Sequence, residues 1–184
     1  MTHVFPLPVL GFAAWSGTGK TTLLKALLPR LRQRGLRLAC IKHAHHDFDV
    51  DTPGKDSYEL RHAGAEQMLI ASGKRWALMV EDERQGPPSL AELLQRLDTS
   101  KLDLVLIEGF KDESFSKVEL HRPSLGKPWR YPEDPNIIAV ATDEPDAVPE
   151  DCTLPCLDLN DLEALERLVL AFCEQASSER RART

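Results

Sequence analysis

A chain of 184 residues with a formal net charge of -6, 42% hydrophobic and 28% charged residues has the composition of a globular protein with a buried core, which excludes disordered and fibrous classes. Basic residues concentrate only in the tail, at Arg180, Arg181 and Arg183, so no nucleic-acid partner is expected. No apolar run approaches the roughly 20 residues that span a bilayer, and the opening MTHVFPLPVLGF lacks the basic region, apolar core and cleavage site of a signal peptide. A cytoplasmic protein without membrane contact is the expectation. The length suits one α/β domain over residues 1–175, followed by a flexible tail over 176–184. Cys40, Cys152, Cys156 and Cys173 lack paired metal-site spacing and read as reduced, mostly buried thiols.

In chain order, the apolar run Leu10 to Trp15 predicts a strand that ends in Ser-Gly. A helical pattern follows, with Leu24, Leu28 and Leu31 on one face and Leu27 beside it. Gly35 is placed to close that helix, and Pro29 inside it removes a backbone hydrogen bond. Leu36 to Ile41 is the next strand, at the distance that a right-handed strand-helix-strand crossover requires, which implies a parallel sheet. A polar stretch leads to a short helix, Ser57 to His62, and then to strands Gln67 to Ala71 and Trp76 to Val80, which form either a hairpin or two separate sheet strands. Leu90, Leu93, Leu94 and Leu97 have helical spacing, and Leu102 to Gly109 is a buried strand carrying Glu108 at its C-terminal end. Lys117 to His121 and Ile137 to Ala141 are further strands, joined by a Pro-rich surface loop from Arg122 to Pro135. Leu162, Leu165, Leu168, Val169 and Phe172 define a closing helix. Strands alternating with helices predict an α/β fold with a doubly wound, mainly parallel sheet flanked by helices, with room for a hairpin insertion that serves dimerisation.

Between the first strand and helix, Ala14-Trp15-Ser16-Gly17-Thr18-Gly19-Lys20-Thr21 matches the P-loop pattern of P-loop NTPases, with Ala in place of its first glycine. Gly17 and Gly19 let backbone N–H groups turn toward phosphate oxygens, and the helix N-terminus adds partial positive charge. Ser16, Gly17, Thr18, Gly19, Lys20, Thr21 and Thr22 are therefore the candidate nucleotide-binding residues. Lys20 reaches the β- and γ-phosphates, and the Thr21 hydroxyl ligates Mg2+. Glu108, at the strand end where open α/β sheets bind their ligands, is the second candidate for magnesium or its water shell. Asp103, at the other end of that strand, is the weaker candidate.

Together with the P-loop, three segments carry a more specific resemblance: Ile41-Lys42-His43-Ala44-His45-His46-Asp47, Gly54-Lys55-Asp56-Ser57 and Ile107-Glu108-Gly109-Phe110-Lys111. In this order and spacing, the sequence resembles the molybdopterin-guanine dinucleotide biosynthesis adapter (MobB) family of P-loop GTPases over nearly its whole length. The resemblance implies GTP and Mg2+ as ligands, a homodimer, and assistance to the molybdopterin guanylyltransferase that converts molybdopterin cofactor to its guanine dinucleotide. It also implies a switch-like loop after the second strand, where Asp47 or Asp49 approaches magnesium or orients water; Asp49 joins Lys20 as a candidate catalytic residue. Asp143 falls where related GTPases carry the Asp of a guanine-reading motif, and its carboxylate suits guanine N1 and N2. Val140 and Ala141 stand at that motif's Asn and Lys positions. Lys42 and Lys55 are candidate phosphate or partner contacts.

Hydrolysis on these residues is expected to be slow, since no Gln or Arg identifies itself from sequence as a water-orienting residue or arginine finger. Two other readings stay open: a small-molecule kinase using the same Lys20 and Thr21, with Arg122 to Arg130 as lid, and a module that binds a nucleotide or pterin phosphate and hydrolyses nothing.

Overall fold

The computed structural model describes residues 5–44, 48–82 and 86–183. By contact, the chain divides into two compact units, residues 1–43 with 90–184, and residues 44–89.

The larger unit is built on a six-stranded sheet of order β2-β5-β1-β6-β7-β8. Its strands are β1 (Val9–Ala13), β2 (Leu38–Lys42), β5 (Leu104–Glu108), β6 (Lys117–His121), β7 (Ile137–Thr142) and β8 (Cys156–Asp158). Every neighbouring pair is parallel, which fits the expected doubly wound, mainly parallel sheet. Among the described residues, this unit carries the α-helices α1 (Lys20–Gln33), α3 (Leu90–Leu94) and α4 (Leu162–Arg183). Strand β1 ends at Ala13, two residues before the expected Trp15, because the chain turns there into the glycine-bearing loop that leads to α1. Strand β8 has no counterpart in the sequence reading: three residues, exposed or half-buried, give no periodicity to detect.

Strand β5 separates two cores. Leu104 and Leu106 pack on one face with Leu10, Phe12, Leu27 and Leu31, beneath α1 and α4. Val105 and Ile107 face the other way, against Ile41 and α3 residues Leu90 and Leu94. Alternation across a strand that is buried on both faces explains its continuous apolar sequence. Each of these side chains contributes roughly 1.5–3 kcal/mol by leaving water. Helix α1 remains one helix through Pro29, held by its buried leucines 23, 24, 27 and 31. Arg30 and Arg34 donate to the buried Glu166 of α4 at 2.6 and 2.5 Å, which fixes α1 against α4.

The four cysteines are free, but only Cys173 is buried, with its thiol pushed up to about 11 by burial. The expectation of mostly buried thiols is corrected by topology: Cys40 and Cys156 lie on the two edge strands, β2 and β8, and are exposed.

All five residues of β6 are buried, including Lys117, Glu119 and His121. Three polar groups at alternate positions share one face, and each takes a partner from the segment after the strand. Lys117 Nζ donates to Asp134 at 2.8 Å. Glu119 accepts the backbone N–H groups of Arg130 and Tyr131, both at 2.8 Å. His121 stacks on Trp129 with ring centroids 3.7 Å apart. The stretch 122–135 lies at the surface, as expected, and is fastened along β6 as a strap. Its polar partners are what let charged residues occupy a central strand.

The smaller unit contains α2 (Asp56–His62) and an antiparallel hairpin of β3 (Gln67–Ala71) and β4 (Trp76–Val80). The hairpin alternative is therefore the observed one, closed by the Ser72 N–H donating to the Arg75 carbonyl at 2.8 Å. Arg61 of α2 ties the unit together, donating to Asp49 at 2.6 Å and to Glu81 at 2.5 Å. Leu69, Ile70, Trp76, Leu78 and Val80 on the hairpin are all exposed, Trp76 at 68%. Among the described residues, no helix is long and apolar enough to cross a membrane.

Candidate functional site

Residues 14–19 turn from the C-terminal end of β1 into the first turn of α1. Gly19, the N-cap of α1, has φ 100°, a left-handed conformation that a Cβ would strain. Thr18 is buried and folds its hydroxyl back to the Trp15 carbonyl at 2.8 Å, bracing the loop from inside. Ser16, Gly17, Thr21 and Thr22 are exposed, and Lys20 is half-buried. The Lys20 ammonium donates to the Ala14 carbonyl at 3.0 Å and lies 3.5 Å from that of Trp15, so it spans the loop. Burial pushes the Lys20 pKa down; Glu108 opposes that shift, while Arg130 and Lys42 add to it.

Across from α1, Glu108 ends β5 and accepts a hydrogen bond from Thr21 Oγ1 at 3.2 Å. Lys42, its register partner on β2, places Nζ 3.7 Å from the same carboxylate. The fold thus unites the lysine, hydroxyl and carboxylate singled out from sequence. Glu108 is positioned by the turn behind it: Gly109 has φ 102°, Phe110 has φ 51°, and the Glu108 carbonyl accepts the His43 N–H at 2.9 Å. The His43 ring stacks on Phe110 at 4.8 Å. A hydroxyl and a carboxylate are oxygen donors of the kind magnesium takes. Asp103, at the opposite end of β5, is held by Arg37 at 2.8 Å, which keeps its carboxyl below the usual range.

Asp143 follows β7 and sits beside Arg122, with which it is ion-paired through Oδ2. Its Oδ1 is buried and lacks a hydrogen-bond partner among the described residues. Arg122 also donates through Nε to the Thr18 carbonyl at 3.0 Å, so Asp143 is linked to the phosphate loop through one side chain. Asp49 lies in the smaller unit, where hydrogen bonds from Arg61 hold its carboxyl below the ordinary range. Lys55 is the exposed N-cap of α2. His45, His46 and Asp47 lie outside the described residues. Among the described residues, no group of three or more His, Cys, Asp or Glu is arranged to hold a metal ion.

The sequence reading missed the strap's approach to the phosphate loop. The Trp15 indole N–H donates to the Pro128 carbonyl at 2.9 Å. Over its ring stand the Arg130 guanidinium, 5.3 Å from the centroid, and the Lys127 ammonium at 5.9 Å. The available signal was the alternation of Lys117, Glu119 and His121, which demands polar partners if β6 is central.

A family described as molybdopterin guanine dinucleotide synthesis protein B matches residues 9–143. The molybdopterin-guanine dinucleotide biosynthesis adapter protein of Escherichia coli (strain K12) is 52% identical over 170 residues, spanning 92% of this chain and 95% of that one. The adapter protein of the same name from Haemophilus influenzae is 46% identical over 140 residues, 76% of each chain. The crystal structure of Bacillus subtilis MobB superposes with a TM-score of 0.69 at 27% identity, covering 90% of this chain and 98% of that one.

Proposed function

The chain belongs to the MobB family, and on that premise we propose that it is the adapter of molybdopterin-guanine dinucleotide biosynthesis, a GTP-binding protein that assists the guanylyltransferase acting on molybdopterin cofactor in the cytoplasm. The observation that carries the nucleotide reading is the approach of Thr21 to Glu108 at 3.2 Å beside Lys20. It brings the end of β5 to the phosphate loop, where a triphosphate with its metal binds in this fold. In that reading the residues 16–22 cradle the phosphates, Lys20 neutralises the β- and γ-phosphates, and Thr21 and Glu108 hold Mg2+. Bound magnesium supplies neutralisation of charge on the phosphate oxygens. Hydrolysis then rests on positioning and charge neutralisation and is slow.

Base selection is assigned to Asp143. Its Oδ2 is engaged by Arg122, and its buried Oδ1 lacks a hydrogen-bond partner among the described residues; a carboxylate here suits the guanine N1 and N2 donor pair, which adenine lacks. Calorimetric titration of GTP and ATP, each with magnesium, tests this. Wild type should prefer GTP, and Asp143→Asn should reduce the preference by roughly tenfold, the worth of a hydrogen bond to a charged group. A GTP preference untouched by the variant overturns the assignment; equal affinity for both nucleotides in wild type overturns the GTP reading itself.

The homodimer is assigned to the hairpin. Strand β6 lies between β1 and β7 and is buried, so it has no edge to offer. The exposed cross-strand pair Leu69 and Leu78 has an apolar surface that a second copy would cover. Sedimentation should give a dimer for wild type and a monomer for Leu69→Glu/Leu78→Glu, with unchanged circular dichroism. A double variant that remains dimeric places the interface elsewhere.

A further inference from the structure

We propose that Arg130 is a phosphate-contacting residue, delivered by the strap of its own chain to the terminal phosphate of the bound triphosphate. The inference rests on reading residues 14–21 as the phosphate loop. Four observations carry it. The Arg130 backbone is fixed: its N–H and that of Tyr131 are gripped by the two oxygens of Glu119, a carboxylate with no exposed surface. The guanidinium then lies over Trp15, 5.3 Å from the ring centroid. Lys20 Nζ donates to the carbonyl of the preceding Ala14 and lies near that of Trp15. Since the P-loop lysine serves the β- and γ-phosphates, the residues it touches mark that end of the site, and Arg130 lies over the side chain of one of them, Trp15. Its positive charge also helps hold the Lys20 pKa down, after burial as the main cause.

The fourth observation is a missing acceptor. Arg130 Nε is buried and without a hydrogen-bond partner among the described residues. A sequestered guanidinium nitrogen without an acceptor is costly, and so is gathering the Lys127 and Arg130 charges over one indole whose backbone carbonyl lies 3.5 Å from the Lys20 ammonium. A phosphate oxygen removes both costs, and the planar guanidinium suits phosphate geometry. Arg122 is not available for this part, because Asp143 and the Thr18 carbonyl already take it. Glu119 is then a positioning residue, acting through the strap backbone.

The test is titration of GTP and GDP, with magnesium, into wild type, Arg130→Ala and Lys20→Ala, with circular dichroism to establish folding. Arg130→Ala should weaken GTP binding by roughly ten- to a hundredfold and change GDP binding by less than about threefold. Arg130→Gln, which keeps the stem over Trp15, should show the same split and substitutes for the alanine variant if that one fails to fold. GTP affinity unchanged in both Arg130 variants, while Lys20→Ala loses binding, overturns the role of Arg130 and leaves the phosphate loop standing. Equal losses for GTP and GDP overturn the assignment to the terminal phosphate. A wild type that binds neither nucleotide overturns the loop reading and this inference together.

Discussion

Lys20→Ala is expected to weaken triphosphate binding by about thirtyfold to a few thousandfold, while the free protein melts within about 4 °C of wild type. The first figure follows from removing one partner of a charge pair in a partly desolvated site, typically about 2–5 kcal/mol. The second follows from what Lys20 does without ligand. Its ammonium donates to the Ala14 carbonyl at 3.0 Å and lies 3.5 Å from that of Trp15. Burial depresses its pKa, so the charged form is disfavoured where it stands. Losing the carbonyl contacts costs about 1 kcal/mol or less, offset by relief of that desolvation. The loop keeps its shape because Thr18 and the Arg122 contact brace it from inside. Calorimetry and thermal melts on the same preparations check both halves. Unchanged affinity removes residues 14–21 from the nucleotide site, and a collapsed melting temperature makes Lys20 a structural residue.

Gly109→Ala is expected to destabilise the protein by about 3 kcal/mol or more, lowering the melting temperature by roughly 6–12 °C. Two independent costs add. Gly109 has φ 102°, which an alanine adopts only under strain. A Cβ built there would also stand 2.7 Å from the His43 Cβ, nearer than two carbons approach. His43 has little room to retreat, since its N–H is bound to the Glu108 carbonyl and its ring is stacked on Phe110. The strain therefore passes to Glu108, and magnesium-dependent nucleotide affinity should fall with stability. A thermal melt paired with a magnesium titration measures both effects. A variant as stable as wild type would show that the turn after β5 relaxes freely and does not set the Glu108 carboxylate.

Much of this architecture was legible before the fold. The crossover from β1 through α1 to β2 follows from one apolar run, a glycine-bearing loop and a leucine stripe, all local features with the periods of strand and helix. The hairpin strands Gln67–Ala71 and Trp76–Val80 fall where the sequence placed them. Lys20, Thr21 and Glu108 were named from motif and position, and the sheet brings Thr21 and Glu108 together from 87 residues apart. Strand β8 and the strap were not legible. The first is too short to show a period. The second takes its form from contacts between residues distant along the chain.

The sequence by itself determined the parallel α/β class, the glycine-bearing loop between β1 and α1 and the residue types that flank it, because each is written in local spacing of glycine, apolar and charged residues. Only the tertiary structure decided which charges meet. Lys117, Glu119 and His121 alternate like the polar face of an edge strand, yet β6 lies inside the sheet, between β1 and β7. A buried charge is tolerated only with a partner, and Asp134, Trp129 and the Arg130 and Tyr131 backbones come from a segment whose own sequence looks like a loop. That closure carries Arg130 over Trp15 and joins Asp143 through Arg122 to the phosphate loop, pairings that sequence spacing does not encode because they form only when the sheet brings its strands side by side.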